Sequence, residues 1–108
     1  MARKGTDLVA SGRLTAESMP ELTYPLERAE AFAREADQRT AQRNGFRPPS
    51  LDAFDDLVAR YREFLVALDR VRRERSGEAA RAALAQPLAA VEAAAESVRV
   101  ALRSERRL

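Results

Sequence analysis

Only carboxylates, hydroxyls and guanidinium groups are available for chemistry in this chain of 108 residues, which has no histidine and no cysteine. The usual general base, the commonest transition-metal ligand and the thiolate nucleophile are therefore all missing. The acids that cluster are Asp52, Asp55 and Asp56 within one turn, and Glu27 with Glu30. A di-metal bundle site needs Glu-x-x-His pairs on facing helices. An all-carboxylate magnesium site is the metal chemistry left to such acids. The three aspartates, however, fall where a helix start attracts anions, which gives them a structural role. No imidazole stands ready to activate a Ser, Thr or Tyr hydroxyl. Gly5, Gly12, Gly45 and Gly77 are scattered and form no phosphate-binding loop. The chain reads as a non-enzyme, with no cofactor and no metal.

The basic residues offer more. Nineteen side chains are cationic and only Lys4 among them is a lysine. Guanidinium groups stay charged and bind carboxylates or phosphates through paired hydrogen bonds. Arg99, Arg103 and Arg107 recur at every fourth residue, a row stepping ~6 Å per turn along one helical face, with Arg106 beside it. Like charges at this spacing repel by about 0.2–0.5 kcal/mol per pair, and only Glu96 clearly offsets them. Arg62, Arg70 and Arg73 share the outward side of the preceding helix, with Val66 between them. Cations near helix C-termini also complement the helix dipole, which is the structural alternative for both groups. The six arginines are candidate contacts to a phosphate backbone, independent of sequence and weakened by salt. Aromatics are 6% of the chain and tryptophan is absent, so stacking on bases would be weak. The net charge of +2 does not by itself dictate nucleic-acid binding.

Three amphipathic helices must position these side chains. Residues 1–21 read as an N-terminal arm, partly irregular, with one helical turn after Thr15 as N-cap. Residues 22–108 read as a helical bundle. Its first helix is predicted from Pro25, a favoured first-turn residue, to about Arg43. Leu22, Leu26, Ala29, Ala33, Ala36 and Thr40 form its stripe, and Phe32 widens it. Asn44-Gly45 supplies a left-handed stop. Ser50 caps the second helix, whose face from Phe54 through Leu57, Tyr61, Phe64 and Leu68 to Val71 is broad enough to touch two neighbours. That makes it the central helix. Beyond Ser76-Gly77 lies an alanine-rich helix with a narrow seam at Leu84, Leu88, Val91, Ala95, Val98 and Leu102. Pro87 is expected to break or kink it. The fold class is all-α, an antiparallel three-helix bundle, or four helices if Pro87 divides the last.

A chain of this length supports one domain. The apolar runs are too short to span a bilayer, and no apolar stretch follows the cations near Met1, so a cytoplasmic location is expected. Val66 and Val100 fall outside their apolar arcs, and the third-helix seam could pair with a copy of itself. A basic, arginine-rich, all-helical chain lacking catalytic residues resembles the small helical subunit of CRISPR effector complexes. The resemblance covers residues 22–108 and lies in architecture and charge. It implies several copies stacked in an RNA-guided antiviral assembly, steadying DNA or RNA through basic side chains. The acidic group at Asp52, Asp55 and Asp56 departs from a uniformly basic face. The alternative is a protein–protein adaptor, of a phage particle, an antitoxin or a regulator, that binds no nucleic acid.

Overall fold

The computed structural model describes residues 2–42, 48–74 and 77–106. They form four helices, α1 (Ala2–Ala10), α2 (Met19–Gln42), α3 (Pro49–Glu74) and α4 (Gly77–Arg106), with no strand among them. The all-α architecture predicted from apolar spacing is present, and α3 is the helix that packs against each of the others. Asn44-Gly45, Phe46 and Arg107 lie outside the described residues.

The N-terminal segment differs from its prediction. Its first residues form α1, which buries Ala2, Gly5, Thr6 and Val9 against α3 and α4. A nine-residue helix is marginal alone, so tertiary contact holds it. Arg3 pairs with Glu92 at 2.6 Å and Asp7 with Arg81 at 2.8 Å. A Cβ built on Gly5 would lie 3.0 Å from Leu68 Cδ2 and 3.3 Å from Leu22 Cδ1, so any side chain here would push these leucines aside by a few tenths of an ångström. The helix ends in a Schellman arrangement. Arg13 N–H donates to Leu8 C=O, Gly12 N–H donates to Val9 C=O, and Gly12 has φ of +71°. Thr15 does cap the turn after it, its hydroxyl accepting from Ser18 N–H.

The helix start at Pro25 and the break at Pro87 need correction. Helix α2 begins at Met19, so Pro20 occupies the first turn and Pro25 lies inside the helix. The first-turn preference was sound but belonged to the earlier proline. The turn that Pro25 loosens is tied from outside, where Tyr61 hydroxyl donates to Leu22 C=O at 2.7 Å. Helix α4 runs unbroken through Pro87. Its neighbours Leu84 and Val91 are buried in the core, and their packing outweighs the one missing backbone bond. At the other end, Glu105 near the end of α4 accepts from Ser50 N–H (2.9 Å) and Ser50 hydroxyl (2.8 Å). A distant carboxylate thus satisfies a free donor at the α3 start.

The core centres on Phe64, Leu68, Leu22 and Leu84, with Ala80, Val71 and Val9 around them. Burial is uneven. Among the described side chains of α2, a helix of 24 residues, only Leu22 is fully buried. Phe32 of α2 rests edge-on against Phe54 at 5.2 Å and remains 51% exposed. The molecule is long, 49 × 25 × 15 Å, with a radius of gyration of 15.9 Å. A compact chain of this length has about 13 Å.

Candidate functional site

Arg62, Arg70 and Arg73 do come together. They line one groove of about 480 Å³ between the start of α2 and the second half of α3. Two helical stripes build it, Met19, Thr23 and Leu26 on α2 and the arginines with Leu65 and Val66 on α3. Each stripe follows the i, i+4, i+7 spacing that keeps side chains on one face. Val66, 70% exposed, stands at the lip one turn from both Arg62 and Arg70.

Most of these cations have partners. Arg62 reaches Glu30 on α2 at 2.8 Å. Asp69 accepts from Arg72 at 2.7 Å and also pairs with Arg73. The two guanidinium groups, Arg72 first, hold the Asp69 carboxyl below the usual aspartate range. Arg70 alone of the three has no ion pair among the described residues.

Arg99 and Arg103 share the carboxylate of Glu96, at 2.9 and 3.0 Å. Their hydrogen bonds and charge, Arg99 foremost, lower the Glu96 carboxyl from its ordinary value. This pair is not near the α3 group. Ser50 meets Glu105, so the end of α4 lies level with the start of α3. At ~1.5 Å per residue the centres of the two arginine groups lie about 20 Å apart along the long axis, with Arg62 and Arg99 the nearest members at about 9 Å. The five described arginines, Arg62, Arg70, Arg73, Arg99 and Arg103, therefore form two groups, and Arg107 lies outside the described residues.

A third basic locus was not among the candidates. Arg3, Lys4, Arg13 and Arg81 line a groove at the α1–α4 junction, with Asp7 as its one acid. Lys4 and Arg13 have no ion-pair partner among the described residues. Their sequence signal was the local charge of the arm, and Arg81 joins only through the fold. The aspartates at the α3 start are exposed, and Asp56 pairs with Arg60 at 3.4 Å. No group of acids suited to a metal ion occurs among the described residues. None of the four helices is long and apolar enough to cross a membrane.

Compared with protein families, curated proteins and solved structures, the chain matches none.

Proposed function

We propose that this chain is a non-catalytic helical subunit that acts by docking onto a larger assembly through protein contacts. The supporting observation is α2, which lies along α3 yet buries only Leu22 among its described side chains. The exposed area of 7233 Å² agrees with this, since a monomer of 12.0 kDa ordinarily exposes about 6,000 Å². Phe32, Tyr24 and Val66 add apolar surface to the α2–α3 side. Purified from its native source, the chain is expected in a particle heavier than one protomer by light scattering. Its α2 amides should be protected from hydrogen exchange there and exchange fast in the isolated chain. A lone protomer from that source, or α2 amides as slow as those of α3 in isolation, overturns the reading.

The second reading is contact with a nucleic-acid backbone, as in the CRISPR small subunits that the chain resembles in architecture and charge. What favours it is the α1–α4 groove, where Lys4 and Arg13, without an ion-pair partner among the described residues, stand beside Arg3 and Arg81. The originally expected contacts are less available, because Arg62, Arg73, Arg99 and Arg103 already meet carboxylates. Retention of single- and double-stranded oligonucleotides on a filter at low salt, lost as salt rises, is the expected signature. Absence of retention in the assembled particle removes this reading.

A further inference from the structure

The α2–α3 groove combines an apolar floor with a cationic rim. Met19, Leu26 and Leu65 supply the floor, and Val66 continues it outward at 70% exposure. Arg62, Arg70 and Arg73 stand along one side, from one end of the groove to the other. Eleven residues separate the first from the last, about 16 Å at ~1.5 Å per residue. That length matches three turns of a helix laid in the groove. The volume of about 480 Å³ suits side chains inserted from above at the a, d and e type positions of such a helix.

Charge selects the kind of helix. Three guanidinium groups face two carboxylates, Asp69 and Glu74, in the lining, and Arg62 is already held by Glu30 from α2. Asp69 is engaged by Arg72 and Arg73. Arg70 has no ion-pair partner among the described residues. A neutral partner seated here would desolvate that cation without compensation, whereas a carboxylate would bond it. A phosphate strand is the poorer fit, because the floor is apolar and no aromatic lines it.

We infer that this groove takes an acidic amphipathic helix of a partner protein, its apolar stripe on Leu26, Leu65 and Val66 and a carboxylate on Arg70. The inference rests on the docking function proposed above and names the partner's chemistry.

The probe is a fluorescent helical peptide of about four turns with leucines on one stripe and glutamates flanking it. Its control has glutamine for every glutamate. Anisotropy titrations against the full chain should show the acidic peptide binding tighter and losing affinity as salt rises. Val66→Glu and, separately, Arg70→Glu should each weaken it by about tenfold, and Arg99→Glu should not. Both changes are at exposed positions without an ion pair among the described residues, and circular dichroism checks that the variants fold. Equal binding of the two peptides, or indifference to both substitutions, overturns the inference. So does the opposite pattern, in which a single-stranded oligonucleotide displaces the peptide and Arg70→Glu matters while Val66→Glu does not. If the Val66→Glu chain still enters its native particle while the peptide fails on the wild type, the groove assignment falls and the docking function stands.

Discussion

Tyr61 shows how one side chain joins two helices here. Its ring packs beside Phe64 and its hydroxyl reaches across to Leu22 C=O at the turn loosened by Pro25. Replacing it with Phe keeps the ring and removes only that bond, so the expected loss is about 1 kcal/mol in denaturant unfolding. Tyr61→Phe with no change in midpoint would mean that the hydroxyl is not holding α2. Burial also raises the Tyr61 ionisation above its ordinary value. The folded chain thus holds this proton more tightly than the unfolded one. Its contribution is complete below the ordinary tyrosine value of ~10 and is lost as pH rises beyond it. Asp69 acts in the opposite sense. Arg72 and Arg73 lower its ionisation on folding, so its contribution is complete above ~4 and fades as pH falls. With no histidine to titrate in between, stability should be level across neutral pH and decline at both extremes. A decline between about pH 5 and 8 would contradict this.

At the scale of elements, the long helices were legible because each carries an apolar stripe at helical spacing. The face from Phe54 to Val71 correctly identified α3 as the helix that touches all others. Helix α1 was missed although Ala2, Thr6 and Val9 keep an i, i+4, i+7 spacing and Gly12 supplies the stop. Alanine and threonine are too small to stand out as a hydrophobic stripe, and Gly5 argues against a helix on propensity. Only the fold reveals why glycine is there, since Leu68 and Leu22 occupy the space a side chain would need. Gly5→Leu should therefore destabilise by about 1–3 kcal/mol through overpacking. Hydrogen exchange should quicken first in α1, and an unchanged α1 would disprove the close approach. The break considered at Pro87 does not occur, because local rules carry no information about Leu84 and Val91 packing on either side. An interior proline costs about 3 kcal/mol relative to alanine. Pro87→Ala forfeits the half-buried ring, so we expect a net gain of about 1–2 kcal/mol. Thermal unfolding should then rise by several degrees, and a lower melting temperature would mean that the ring is a packing element.

Across the whole molecule, charge was the least legible feature, because pairing depends on which helices meet. Sequence spacing put Arg62, Arg70 and Arg73 on one face, and they do share a groove. It gave no sign that Glu30 would reach Arg62 from another helix, or that the α4 row would lie at the far end of the molecule. The salt dependence of any nucleic-acid binding separates the two pictures. Six arginines neutralising six phosphates of a single strand would give a slope of log affinity against log salt near −4, at about −0.7 per contact. Among the described residues Lys4 and Arg13 are the cations of the α1–α4 groove without an ion pair, so about two or three contacts and a slope near −1.5 to −2 are expected instead. Arg99 and Arg103 would have to release Glu96 before meeting a phosphate, and that exchange of one anion for another gains little. Lys4→Glu with Arg13→Glu should therefore abolish filter retention, while Arg99→Glu with Arg103→Glu should reduce it only slightly. A slope near −4, or the reverse ranking of the two double variants, would restore the two arginine groups as the interface.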